Sequence, residues 1–128
     1  MRLLLDTHLI LWWQGLSAKV PAAAREVIED SGVPVSVSRA SLWEIAIKVN
    51  QGKLRLDFER FCDRVAADGF SWLPIENTHL LQLAKLPVFD DHKDPFDRLL
   101  VAQSQSEPLI LLTSDAKLAR YGVTIRLV

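Results

Sequence analysis

Apolar positions along this chain alternate between two periods. Leu3-Leu4-Leu5 and Leu109-Ile110-Leu111-Leu112 are short continuous apolar runs, the pattern of strands buried on both faces of a parallel sheet. Val33-Pro34-Val35-Ser36-Val37 alternates apolar with small or polar residues and reads as another strand, with Pro34 tolerable at its start. Phe70 to Ile75 and Val123 to Leu127 supply two more. Between these runs the spacing is helical. After Asp6-Thr7 a helix begins over 8–13, and Ser17 caps a second in which Pro21 sits in the first turn, running to about 30 and closed by Gly32. Ser38 caps a strong helix over 39–51 ended by Gly52, with Leu42, Ile45, Ala46 and Val49 on one face, widened by Trp43 and Ile47. Asp57 caps the next, which carries Phe58, Phe61, Val65 and Ala66 inward until Gly69. Helices over 78–85 and 95–106 and a short one over 116–120 complete the series, with a polar connector at 88–93.

Strands alternating with helices predict an α/β fold: one domain over 1–128, with a central, mostly parallel sheet flanked by helices on both faces. In such sheets the functional crevice lies beyond the carboxyl ends of the strands. Isolated acids fall at that rim. Asp6 follows the first strand and Asp115 the strand at 109–112, Glu44 lies in the helix after the second strand, and Asp97 opens the helix after 88–93.

Composition narrows the classes without choosing among them. Apolar residues make up 49% and charged residues 24%, as in an ordinary globular protein. A net charge of −1 advertises no polyanion partner, so any nucleic-acid contact has to come from local charge placement. No apolar stretch approaches the roughly 18 residues of a membrane span. Asp6 interrupts the first leucine run with no cleavage site behind it, which argues against a signal peptide. The single cysteine, Cys62, reads as a plain thiol in a helix and fits a reducing compartment; the cytoplasm is the expectation.

Each acid also has an ordinary structural explanation. Asp94 is placed as an N-cap with Pro95 at the first helical position and Asp97 at the third, near the positive end of the helix dipole. Asp6 and Asp115 suit turns or caps at strand–helix junctions, where Thr113 and Ser114 are alternative turn residues. Glu44 stands four residues before Lys48, the favourable order for a solvated surface pair. Several carboxylates at one rim are more informative than any one. They repel unless a cation neutralises them, and all-oxygen ligands select Mg²⁺ or Mn²⁺. Zinc is disfavoured, because there is one cysteine and His8, His79 and His92 are too scattered for a ligand motif. No Gly-x-Ser-x-Gly supports a serine nucleophile.

Four segments in order span nearly the whole chain: Leu4-Leu5-Asp6-Thr7-His8 with Leu11-Trp12-Trp13; Ser38 to Lys48 (SRASLWEIAIK); Asp94-Pro95-Phe96-Asp97-Arg98-Leu99-Leu100-Val101-Ala102-Gln103; and Leu112-Thr113-Ser114-Asp115. Together they resemble a PIN domain, and more narrowly a VapC-type ribonuclease toxin of a type II toxin–antitoxin system. The resemblance implies a Mg²⁺ or Mn²⁺ site of one or two ions formed by Asp6, Glu44, Asp97 and Asp115, with Asp94, Thr7 and Thr113 in support. It also implies an RNA substrate, a homodimer, and a VapB-like antitoxin, for whose surface Trp12 and Trp13 are candidates. Arg39, Lys48, Lys53, Arg55, Lys93, Arg98 and Lys117 flank the motifs and are candidates for phosphate contacts. Two other readings compete: a different metal-dependent phosphohydrolase, against which the absence of an Asp-x-Asp pattern at Asp6 counts, and a catalytically silent PIN-like binding module, against which the presence of all four acids counts.

Overall fold

The computed structural model describes Met1–Val128. Its sheet has five strands, all parallel: β1 (Leu3–Leu5), β2 (Val35–Ser38), β3 (Ser71–Leu73), β4 (Ile110–Thr113) and β5 (Ile125–Leu127), in the order β3-β2-β1-β4-β5. The helices are α1 (Thr7–Gly15), α2 (Ala22–Ile28), α3 (Arg39–Asn50), α4 (Phe58–Ala67), α5 (Asn77–Leu83) and α6 (Pro95–Ser106), with short 3-10 turns at Ser17–Lys19 and Ala116–Tyr121. The expected mostly parallel α/β architecture is therefore present as a wholly parallel one.

Successive leucines of β1 face opposite layers, because side chains in a strand alternate. Leu3 and Leu5 join Leu9, Ile10, Ala24, Ile28 and Val65 under α1, α2 and α4. Leu4 joins Leu99, Leu100, Leu111 and Leu118 under α6 and the 3-10 turn at 116–121. All three β1 leucines are fully buried, so truncating any one to alanine would cost about 2–5 kcal/mol. α3 bridges the layers, giving Ala40 to one core and Ile45 to the other.

Most predicted helix starts are present as drawn. The side chains of Ser38, Asp57 and Asp94 accept hydrogen bonds from the backbone N–H of Ala40, Arg60 and Asp97. Gly52 and Gly69 take positive φ just after α3 and α4. The second helix differs. Ser17 opens only a 3-10 turn without a side-chain cap, and Pro21 itself is the N-cap of α2. A proline disfavours helical geometry in the residue before it, and Val20 is extended, so the helix has to restart at Ala22. Trp43 and Ala66 also depart from expectation: Trp43 is 56% exposed and Ala66 faces solvent.

The strand order reverses between β1 and β4. β1 leads outward through β2 to β3 on one side, and β4 leads to β5 on the other. Loops on the two sides diverge above the carboxyl ends of β1 and β4 and leave a crevice there.

Candidate metal centre

Asp6 is the first residue past β1 and the N-cap of α1. Its Oδ1 accepts from the backbone N–H of His8 at 2.8 Å, and its Oδ2 accepts from the Thr113 hydroxyl at 2.6 Å. Burial by itself would raise the pKa of Asp6, but hydrogen bonds from His8 and Thr113 outweigh it and hold the carboxyl below its usual range. His8, whose Nδ1 lies 3.5 Å from Asp6 Oδ1, is raised in turn by that carboxylate. Thr113 joins two acids, because its Oγ1 donates to Asp6 and accepts from the backbone N–H of Asp115. Asp115 caps the following 3-10 turn through Lys117 N–H.

Glu44 departs from its surface reading: it is only 7% exposed. Lys48 Nζ does approach its Oε2 at 3.0 Å, the expected i, i+4 pair, while its buried Oε1 has no hydrogen-bond partner. The inward turn of this face comes from Thr7, whose hydroxyl donates to Ser41 Oγ at 2.8 Å, one turn before Glu44. Thr7 thus positions α3 against α1.

Asp97 sits in the first turn of α6, its N–H bonded to Asp94 Oδ1 at 2.9 Å. Asp94 is exposed and has the capping role its position predicts. Burial, followed by the charges of Asp94, Asp6, Glu44 and Asp115, pushes the Asp97 carboxyl up to about 7. Those four acids come from four separate segments and act on one side chain. An unneutralised cluster of this kind destabilises its own ionised form, and a divalent cation among the carboxylates removes that penalty. With the unpartnered Glu44 Oε1 at hand, the donor set fits a hard divalent ion.

In the sequence His92 is one of three scattered histidines and does not stand out. It is buried, and its Nε2 lies 3.6 Å from Asp97 Oδ2 without a hydrogen-bond partner. His92, Asp97 and Asp115 offer ligand atoms all within 4.8 Å of one another. The only linear signal for His92 is its place two residues before Asp94. Spacing between histidines carries no sign of it.

The basic candidates separate. Lys48 Nζ lies on Glu44, whereas Lys117 meets Asp115 only through its backbone N–H and donates its Nζ to the Asp91 carbonyl at 3.3 Å. Arg39 instead stacks over Trp72, 4.3 Å from the ring centroid, and Arg98 donates to the Pro87 carbonyl. Trp13 is committed to packing on Phe70, whereas Trp12 joins Asp6, His8, Leu9, Ser114 and Asp115 around a cleft of about 300 Å³.

The fold and the rim together define an α/β domain with a carboxylate cluster at the switch point of a parallel sheet. The chain belongs to the PIN domain family, whose model matches residues 3–123. PIN domains are in general metal-dependent nucleases that use divalent ions. Curated proteins yield no sequence match. Among solved structures, the fold is similar to a chain of VapBC2 from Rickettsia felis bound to a promoter DNA fragment, with a TM-score of 0.73 at 13% identity, covering 99% of this chain and 97% of that one. It is also similar to a chain of DNA-bound VapBC from Salmonella typhimurium, with a TM-score of 0.66 at 16% identity, covering 99% and 96%. No helix is long and apolar enough to cross a membrane.

Proposed function

We propose that this chain is a Mg²⁺- or Mn²⁺-dependent endoribonuclease of VapC type, the toxin of a toxin–antitoxin pair, which hydrolyses RNA phosphodiester bonds at the β1/β4 rim. The observation that carries this reading is the convergence of four acids on Asp97, whose carboxyl burial and then those charges push up to about 7. Asp6, Glu44, Asp97 and Asp115 would hold one ion or two, while Asp94 caps α6. When bound, the cation supplies an acidified water and positive charge opposite the phosphoryl oxygens.

The protein's own groups do the rest. Thr113 and the His8 N–H keep Asp6 ionised and oriented. A carboxylate of the set accepts the proton of the attacking water. Lys48 balances backbone phosphates, Lys117 joins it once its Nζ exchanges the Asp91 carbonyl for a phosphate, and the N-terminus of α6 favours an anion above Pro95. The rings of His8 and Trp12, 6.0 Å apart at the cleft, offer stacking surfaces for unpaired bases. Arg39 and Arg98 act more distantly, through the edges of the bound strand. A VapB-like antitoxin and a second copy of the chain are the proposed partners, and the cytoplasm the proposed compartment. The VapBC assemblies among the similar structures support the antitoxin.

Cleavage of RNA with Mg²⁺, with chelator and in Asp97→Asn tests the reading. Asn removes a charge that its neighbours repel, so the variant should fold, while cleavage falls by about a hundredfold or more. Undiminished cleavage by the folded variant would remove Asp97 from the centre.

A further inference from the structure

Three buried side-chain polar atoms lack a hydrogen-bond partner: Glu44 Oε1, His92 Nε2 and Arg98 Nε. Glu44 is one of the four acids already assigned, and Arg98 is held through its Nη2 on the Pro87 carbonyl. His92 is the atom without an explanation. It enters from the connector between α5 and α6, where Phe89 and His92 form an isolated bridge. Its ring packs edge-on against Tyr121, centroids 5.4 Å apart at 66°, and its Nδ1 shares a 2.8 Å hydrogen bond with the Tyr121 hydroxyl.

Those two contacts fix the ring and aim Nε2 at Asp97 Oδ2, at 3.6 Å. That separation is too long for a hydrogen bond. It suits two donors to one ion: atoms each about 2.1 Å from a shared cation lie about 3 Å apart when adjacent and about 4.2 Å when opposite. A ligating histidine usually engages its other ring nitrogen in a hydrogen bond that sets its orientation, the place Tyr121 occupies here. His79 shows the contrast, since both of its nitrogens are already engaged, Nδ1 with Glu76 N–H and Nε2 with Glu107.

We propose that His92 Nε2 is a ligand, with Asp97 and Asp115, of a divalent cation at the rim, and that this nitrogen makes the centre favour Mn²⁺ over Mg²⁺. The inference rests on the rim being a metal centre, as proposed above. Carboxylates alone accept Mg²⁺ and Mn²⁺ alike, whereas imidazole adds affinity for first-row transition ions and little for Mg²⁺.

Electron spin-echo modulation of Mn²⁺ bound to the metal-stripped full chain reads nitrogen coordination directly, without any activity measurement. Imidazole ¹⁴N coupling is expected in the native chain and in His8→Gln, whose parent side chain is largely exposed, and is expected to vanish in His92→Gln. The Mn²⁺-to-Mg²⁺ affinity ratio of His92→Gln should fall about tenfold or more. Bound Mn²⁺ without nitrogen coupling, or coupling that disappears in His8→Gln, overturns ligation by His92 and leaves the carboxylate centre standing. No Mn²⁺ binding by the native chain overturns both. If His92→Gln does not fold, the native and His8→Gln spectra decide the matter.

Discussion

Helix α6 carries a buried polar cluster near each end, and the two are built on opposite principles. Toward its C-terminus, Gln103 and Glu107 meet Ser38 and His79 in a closed network. Ser38 donates to Gln103 Oε1 and accepts from Ala40 N–H, Gln103 Nε2 reaches the Pro74 carbonyl, and His79 Nδ1 accepts from Glu76 N–H. With Nδ1 an acceptor, the His79 proton lies on Nε2 and is donated to Glu107 at 2.6 Å. The N-terminal cluster around Asp97 is like-charged, with Glu44 Oε1 and His92 Nε2 unpartnered. Satisfied networks rigidify a fold, whereas a crowded, unsatisfied cluster is a cost that a ligand relieves. One helix therefore joins a satisfied polar cluster to an unsatisfied one over about three turns.

Of the two clusters, the closed network should have the larger effect on stability when broken. His79→Ala leaves Glu76 N–H and Glu107 without their partner and should destabilise the chain by about 1–3 kcal/mol in urea unfolding, while Mg²⁺ affinity stays unchanged. A matching loss of metal affinity would show that the two clusters are not independent.

The open cluster should answer to pH instead. The Asp97 carboxyl lies near 7 when folded against an ordinary 3.8, so between those values the native state keeps a proton that the unfolded chain has lost. Metal-free stability then falls as pH rises from about 4 to about 7, by about 1–2 kcal/mol after allowing for the partial solvent exposure of Asp97. The raised His8 acts in the same direction, its contribution being lost as pH rises through its folded value, while Asp6 acts oppositely and only below about 4. Denaturation midpoints in chelator at pH 5 and 7.5 measure the slope, which Asp97→Asn should flatten. A slope unchanged in that variant would place its origin elsewhere.

The smallest effect separates capping from charge at Asp94. Asn caps a helix as well as Asp, so Asp94→Asn should leave stability within about 0.5 kcal/mol. It should also lower the pH at which Asp97 titrates, because Asp94 is the leading charge acting on that side chain. A carboxyl-resolved NMR titration checks this, and an unmoved Asp97 would leave Asp94 as a cap alone.

What was written locally in the sequence was read locally. Leu3-Leu4-Leu5, the Ser38 and Asp57 caps and the Asp94-Pro95 helix start depend on interactions within about four residues, and each formed where the pattern put it. The motif order was equally legible, since it needs no geometry. Burial was not: Trp43 was expected inward and faces solvent, while Glu44, spaced like a surface salt bridge, is buried once Thr7 locks Ser41. Nor could the chain alone bring Asp6 to Thr113, 107 residues away, until β1 paired with β4. The field on Asp97 is a sum over acids from distant segments, and His92 joins it only through its packing on Tyr121. The sequence by itself thus determined which side chains were available and where its helices begin. Strand pairing and packing alone decided which of those side chains share one crevice, because electrostatic and coordination distances are set between segments and not along them.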